Sequence, residues 1–398
     1  MSKTNIPNII HRDKHPISRK NIDIYALKTM YRLKKFGYEA YLVGGAVRDL
    51  LLNMHPKDYD IVTNATPSQI RKIFSNSFII GKRFKLVHVI YNKLVIEVIT
   101  FRKEPDILSN NGIIDLDNNF GDINEDSIRR DITINALYYN IKDFSIVDYS
   151  NGFKDIKKKV IRIIGDPKIR FQEDPLRILR VLRFAAKFNW SIERNTKKAI
   201  SEKQDLLIHI KLPRLYEEYK KIFAKGFALN SFKLLKKYDL IKYLFLNYEH
   251  FDLKVIKYGL NLTDSRFKEK KSVNHIFILA IFLYTCVKGL PCIFLWGIIE
   301  HHVKNADIDI TDISKLKNII EKVISNQKKK LTISNNESLL LKNIFLIQYK
   351  FNIQSPKNIK FLLHHKYFDM GYDLLYIRYL ARNVQSKLYK YWKNNSDK

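Results

Sequence analysis

Two aspartates stand in Asp58-Tyr59-Asp60, at the start of a run to Thr63 that reads as a β-strand. Side chains at i and i+2 of a strand share one face, so both carboxylates would converge on one spot. Two hard oxygen ligands side by side suit magnesium, with phosphate oxygens and water completing the octahedra. A lone Asp-x-Asp is most often a solvated strand edge, and it is the company that changes the reading. Upstream stands Gly44-Gly45-Ala46-Val47-Arg48-Asp49, where a strand from Tyr38 to Val43 turns into a helix through Leu52. Glycines there let backbone N–H groups approach a phosphate, and the helix N-terminus favours negative charge. Arg48, one turn in, can reach the same phosphate. Together the segments describe a pocket for a nucleoside triphosphate: glycines and arginine for the phosphates, aspartates for metal ions.

Two further segments extend it. Arg129-Arg130-Asp131 can add a phosphate cation and a carboxylate, or be an exposed helix start. In Glu173-Asp174-Pro175-Leu176-Arg177-Ile178-Leu179-Arg180, Asp before Pro is a good helix cap. Asp174 and Arg177 lie one turn apart, as do Arg177 and Arg180, so one helix face offers an acceptor and two planar donors. Such a face can pair with the edge of a base.

The elements that must position these residues read as mixed α/β over the first 150 residues. Ser18 can cap a helix whose Ala26, Leu27, Met30 and Leu33 keep helical spacing up to Gly37. Pro67 opens a helix to Phe74. Lys85 to Tyr91 and Leu94 to Phe101 are strands, with Asn92-Lys93 as the hairpin turn. Residues 102–125 are rich in Asn, Asp and Gly and read as a long mobile loop. After Gly165 the pattern is helical, with boundaries near 165 and 225. Ile276 to Val287 is too short for a membrane span, which needs about 20 apolar residues, and reads as a buried core helix. Lys387 to Lys398 is polar and expected to fray.

A chain of 398 residues suggests two or three domains. Hydrophobic residues at 46% and charged residues at 28% exclude wholesale disorder. Cys286 and Cys292 are the only cysteines, which excludes a disulfide scaffold and a Cys-rich zinc module and suits a reducing cytoplasm. No apolar signal segment is expected within Met1 to Lys20. The net charge of +31 fits a polyanionic partner such as nucleic acid, or a Lys-rich composition with no partner behind it. His301-His302 and His364-His365 are adjacent pairs that would point apart on a helix, which makes them poor metal ligands.

In their order, Gly44-Gly45-x-Val47-Arg48-Asp49, Asp58-x-Asp60, Arg129-Arg130-Asp131 and Glu173-Asp174-x-x-Arg177 resemble the motifs of class II nucleotidyltransferases. That family holds the CCA-adding tRNA nucleotidyltransferases and the bacterial poly(A) polymerases, within the DNA polymerase β superfamily. The motif-bearing part runs over residues 38–187. Ile79-Ile80-Gly81-Lys82-Arg83-Phe84-Lys85-Leu86-Val87-His88-Val89 resembles the signature that sets the poly(A) polymerases apart from the CCA-adding enzymes. Ser18 to Tyr31 and Lys57 to Phe74 look like the same branch. In one respect the chain departs from that branch: its members usually carry a long Arg-rich C-terminal extension, and this chain is expected to stop at Lys398 without it, so that the scattered lysines would have to substitute for it.

The resemblance implies an α+β fold: a polymerase β-like nucleotidyltransferase head with a mixed sheet, then an all-α neck, body and tail. The expected division is an N-terminal arm at 1–21, the head at 22–164, a neck for base recognition and RNA at 165–225, and a body and tail at 226–398. It implies template-independent transfer of AMP from ATP to RNA 3′ ends with release of pyrophosphate, and two Mg²⁺ ions held by Asp58 and Asp60. Asp131 is the first choice for a third catalytic carboxylate. Glu97 is the alternative, and Asp131 would then read the ribose 2′-hydroxyl. Gly44, Gly45, Arg48, Arg130, Asp174, Arg177 and Arg180 are expected at the nucleotide, with Arg180 supporting the triphosphate or Arg177. RNA is expected in a Lys-rich groove between head and helical body, with a steep salt dependence. A monomer with no membrane contact is expected. The rival readings are a CCA-adding enzyme and a non-catalytic RNA-binding protein.

Overall fold

Short apolar runs, each too brief to stand alone, pair into one mixed sheet. The computed structural model describes residues 6–81, 85–92, 94–103, 120–289, 310–351, 355–382 and 386–396. The strands are β1 (Asn8–Ile10), β2 (Tyr41–Val43), β3 (Asp60–Thr63), β4 (Ser77–Ile80), β5 (Leu86–Tyr91), β6 (Leu94–Thr100), β7 (Leu137–Asn140) and β8 (Ile146–Asp148). Their order is β1-β8-β7-β2-β3-β6-β5-β4. β3 and β6 run parallel, while β2 is antiparallel to both β3 and β7. Consecutive residues Leu42 and Val43, and Ile61 and Val62, are fully buried, so the central strands are covered on both faces. Val43, Val62, Phe101, Tyr138 and Val147 form one core cluster.

The helices around this sheet follow local capping chemistry. Asp23, rather than Ser18, caps α1 (Ile24–Lys35), accepting from the Tyr25 N–H at 2.7 Å. Ser18 instead closes the short turn Arg19–Asn21. A carboxylate beside the first helical residue wins over a hydroxyl several residues earlier. α2 (Gly45–Leu51) follows β2, and α3 (Pro67–Ile73) starts on a capping box between Thr66 and Gln69. Asn92 takes the left-handed conformation of a hairpin turn, and Lys93 lies outside the described residues. Of the expected loop at 102–125, residues 104–119 lie outside the described residues. Asp122 and Glu125 form a second capping box that starts α4 (Ile123–Ile128), a helix the loop reading did not contain. α5 (Gly152–Lys158), α6 (Pro167–Glu173), α7 (Leu176–Phe188) and α8 (Arg194–Lys203) follow. Val160–Ile161 and Ser191–Ile192 make a small parallel pair.

The chain divides into two compact units, Met1–Arg177 with Trp190–Lys203, and Ile178–Asn189 with Gln204–Lys398. The second unit is helical: α9 (Leu212–Phe223), α10 (Ala228–Lys237), α11 (Ile241–Leu244), α12 (Leu253–Lys268), α13 (His275–Gly289), α14 (Ile310–Lys328), α15 (Asn335–Lys350), α16 (Pro356–Leu363), α17 (Phe368–Arg382) and α18 (Ser386–Ser396). α13 contains the expected core helix, with Ile278, Leu279, Ala280, Ile281 and Phe282 fully buried. Phe282 packs 4.4 Å from Phe245 and 5.2 Å from Phe223 between ring centres. The expected fraying at Lys387 to Lys398 is corrected over its described part. α18 reaches Ser396, Trp392 is fully buried, and its indole N–H donates to the Phe351 carbonyl at 2.8 Å. One aromatic anchor outweighs a polar composition. His301 and His302 lie outside the described residues. No helix among the described residues is long and apolar enough to cross a membrane.

Glu337 ties α15 to two other helices of this unit. Its carboxylate accepts from Tyr216 Oη at 2.7 Å and lies 3.1 Å from His275 Nε2. It also accepts from the Ser334 N–H at 2.8 Å. Burial pushes the carboxyl up, but the bonds from Ser334, Tyr216 and His275 outweigh it and hold it at about 2. Its contribution is therefore complete above the ordinary carboxylate range and disappears as pH falls toward 2. Glu337→Ala should cost about 2 kcal/mol at neutral pH. In chemical denaturation from pH 7 downward, the gap to the parent chain should close in strong acid. A gap unchanged at every pH would mean the loss is packing alone.

Candidate active site

Gly44 sits where β2 becomes α2, at φ +73°, a conformation that L side chains rarely adopt. Three groups border the space a side chain there would fill, each at ordinary contact distance. A Cβ would meet Arg130 Nη1 at 3.7 Å, the Asn135 carbonyl at 3.8 Å and Asp60 Oδ2 at 3.9 Å. The turn, the acidic strand and the 129–131 segment thus meet at one point. Gly45 is the first residue of α2, and a Cβ there would lie 3.5 Å from Arg48 Nη2.

Asp60 opens β3, directly opposite Glu97 on the parallel strand β6. The strand expected from Asp58 begins only at Asp60, so Asp58 precedes β3; it is exposed, while Tyr59 between the two aspartates is buried. Burial, then Glu97, push the Asp60 carboxyl up to about 6, with Asp58 adding to the rise and Arg130 opposing it. Glu97 has His88 Nε2 at 3.5 Å. Among the described residues no three His, Cys, Asp or Glu side chains stand at the spacing of a closed metal cage. Magnesium does not need one. It is commonly held by one or two carboxylates with water and substrate phosphates. A half-buried Asp60 repelled by Glu97 and Asp58 fits such an ion, which would relieve the crowded negative charge.

Arg130 is fixed by a carboxylate that sequence reasoning missed. Asp126, fully buried on α4, accepts from Arg130 Nε at 3.0 Å, Tyr138 Oη at 2.8 Å and Arg129 Nε at 3.0 Å. Burial alone would raise this carboxyl. Arg130, Arg129 and Tyr138 together hold it below the usual carboxylate range. Arg170 was missed as well. Its Nη2 donates to the carbonyls of Arg129 at 2.8 Å and Arg130 at 3.2 Å, bracing the segment from behind. The Asp-x-x-Glu capping box at 122–125 was the available signal for α4, and so for the placing of Asp126 one turn from Arg130.

The remaining expected residues are placed as follows. The Arg48 side chain is nearly buried, with Nη1 on Asn135 Oδ1 at 2.5 Å and Nε on Asp49 at 2.8 Å, so its guanidinium faces protein groups. Asp131 accepts from Arg177 Nε at 3.0 Å and does not take the place opposite Asp60 on the neighbouring strand, which is Glu97's. Arg177 Nη1 bonds Glu173 at 2.6 Å and the Arg170 carbonyl at 2.9 Å. Its Nη2 has no protein partner among the described residues. Asp174 accepts from the Leu176 N–H at 3.2 Å, capping the start of α7. Arg180 follows on α7, within the second unit. Of the segment Ile79 to Val89, Lys82 to Phe84 lie outside the described residues. Gly81 is at φ +90°, between β4 and β5.

Residues 40–162 match the family model described as "Poly A polymerase head domain". Residues 189–251 match "Probable RNA and SrmB- binding site of polymerase A". Residues 310–398 match "Polymerase A arginine-rich C-terminus", which corrects the expectation that this region is lacking. It escaped recognition because its arginines here are Arg378 and Arg382, among many lysines. Poly(A) polymerase I of Escherichia coli O6:H1 is 38% identical over 96% of this chain and 84% of its own length. The CCA-adding enzyme of Lactobacillus helveticus is 38% identical over only 57% of this chain and 55% of its own. The crystal structure of the Bacillus stearothermophilus CCA-adding enzyme with CTP shares the fold, at 24% identity and TM-score 0.63, over 94% of this chain and 80% of that one. Likeness that covers almost the whole chain on one side and little more than half of it on the other separates the branches: the chain belongs to the bacterial poly(A) polymerase family.

Proposed function

We propose that the chain is a template-independent poly(A) polymerase, transferring AMP from ATP to the 3′-hydroxyl of RNA and releasing pyrophosphate. The observation that carries this reading is the likeness to poly(A) polymerase I over 96% of the chain. Asp58 and Asp60 would hold two Mg²⁺ ions, which supply activation of the RNA hydroxyl and neutralisation of charge on the leaving pyrophosphate. Glu97 is the third carboxylate, because it lies opposite Asp60 and raises its pKa. The Gly44–Gly45 turn leaves room for the triphosphate to approach the backbone. Arg130, held by Asp126, meets it as a fixed cation. Arg48 acts one step back, keeping Asn135 against the turn.

Base choice falls to Asp174 and Arg177. Asp131 and Glu173 orient the Arg177 guanidinium and leave Nη2 open toward a base edge. Arg180, one turn further along the same helix, is assigned to support Arg177 or the triphosphate. The head is taken as residues 22–164, the neck as 165–225 and the body and tail as 226–398. The place of work is the cytoplasm, which suits a chain with two cysteines.

If Asp131 orients Arg177, Asp131→Ala should cut discrimination of ATP over CTP by about tenfold in kcat/KM, the worth of one positioned hydrogen bond. Glu97→Ala should lower kcat for both nucleotides alike. An Asp131→Ala variant that lowers both nucleotides alike, or a Glu97→Ala variant that changes only the discrimination, would overturn these roles.

A primer-extension assay tests the whole reading. It offers oligo(A) RNA and a tRNA lacking its terminal CCA, each with ATP and CTP singly and together. Long ladders from ATP alone on both RNAs are expected. Addition that halts after CCA on the tRNA, and needs CTP first, would make the chain a CCA-adding enzyme. RNA binding without extension would leave a binding protein.

A further inference from the structure

Far along the chain from the carboxylates, α16 and the turn after it gather cations around an exposed ring. Phe361 is 51% exposed. Lys350, at the end of α15, holds its Nζ 4.2 Å from the centre of that ring. The His365 ring lies 5.7 Å from Phe361 and 5.8 Å from Tyr367, and Lys366 sits over Tyr367 at 5.4 Å. Lys357 and Lys360 are exposed on α16 itself, and Lys317 is exposed on α14. None of these lysines has a carboxylate partner among the described residues.

The crowding bears on the electrostatics of the cluster. Burial and then Lys317 depress Lys350, while burial and then Lys350 depress His365. Like charges held together without counter-charges are unfavourable in the free chain, and a polyanion relieves them. An exposed phenyl ring among them adds a stacking face that phosphate alone does not need. The adjacent histidines, which make poor metal ligands, thus include one that belongs to a different kind of surface.

We propose that Phe361, Lys350, Lys357, Lys360 and His365 form an RNA-contact site of their own, which stacks an unpaired base on Phe361 and takes flanking phosphates on the lysines. The choice of RNA among polyanions rests on the function proposed above. The geometry asks only for a single strand with bases free to stack, and commits to neither sequence nor 3′ end.

The test is anisotropy of labelled oligo(A) with the full chain in EDTA, where no turnover occurs. Phe361→Ala should weaken binding by about tenfold, the order expected for one stacked base. Phe361→Trp should restore it. Lys357→Glu with Lys360→Glu should weaken binding further and flatten the dependence on salt by about two phosphate contacts. In the unmutated chain, photo-crosslinking with iodouridine RNA should mark the segment 357–367. Each variant should keep the parent turnover of ATP at saturating RNA.

Unchanged affinity in Phe361→Ala, or crosslinks confined to other segments, would overturn the proposal. So would a Trp variant as weak as the Ala variant, since stacking would then not be the cause. Loss only in the lysine variants, equal for heparin and RNA, would reduce the site to a general polyanion patch and also overturn it. Binding as expected with no ATP extension by the parent chain would sink the polymerase reading and leave this site standing.

Discussion

Asp60→Ala is expected to leave the chain folded and to lower AMP addition by about a thousandfold or more, the effect of losing several kcal/mol of metal-assisted stabilisation of the transition state. Asp58→Ala should do the same. The loss should fall on kcat, and neither more ATP nor more Mg²⁺ should restore it. The fold should survive because Asp60 is a burden to the free chain. It is partly buried, lies opposite Glu97, and carries a carboxyl pushed up to about 6. Removing it relieves burial of a charge and repulsion between like charges, so in EDTA the denaturation midpoint of Asp60→Asn should equal or exceed that of the parent. Function and stability then move in opposite directions at one residue, as at sites that hold strain for a ligand. A variant with near-parent rates would end the assignment of the metal site. A variant that is both inactive and markedly less stable would make Asp60 a structural residue.

Asp126→Ala is expected to be the most damaging single change in the head, at a cost of about 3–5 kcal/mol. Asp126 is fully buried and answers two guanidinium groups and a tyrosine hydroxyl. Its removal leaves Arg130 and Tyr138 in a low-dielectric interior without their counter-charge. A buried pair broken on one side costs far more than the pair contributes as a whole. In urea the midpoint of the head transition should fall with its slope kept. Under conditions where the variant is still folded, KM for ATP should rise, because the phosphate cation has lost its support. A loss of unfolding free energy below about 1 kcal/mol would show that water reaches the cluster and solvates Arg130.

What the sequence made legible follows from how local each signal is. Asp60 could be read as opening a strand, although the strand does not reach back to Asp58, and Glu97 could be suspected because it lies in an alternating strand. Gly44 announced a turn, and its positive φ bears that out. The fold class was readable for the same reason: a change from strand-length to helix-length periods near residue 165. The failures are long-range. β1 pairs with β8 across some 140 residues through only Asn8 to Ile10, and nothing in three residues encodes a partner so distant. Asp126 was invisible because its role exists only once α4 turns its carboxylate toward Arg130 and Tyr138. Asp131 was favoured over Glu97 because it travels with Arg130 in the sequence. In space Asp131 goes with Arg177 instead. The C-terminal region was judged by its composition, and Trp392 was not weighed.

That tryptophan sets a lifetime. Lys390 and Lys393 flank it on α18 and offer trypsin cleavage points at the surface. A protease needs several residues of extended backbone. Trp392 keeps this turn helical by packing in a cluster with Ile347, Phe351, Leu362, Phe368, Leu375 and Leu388. The tail can be cut only in the moments when that cluster opens, so its digestion rate measures the local opening equilibrium of the helical unit. A segment that looks expendable on paper therefore acts as a clock for the packing of the helices it closes.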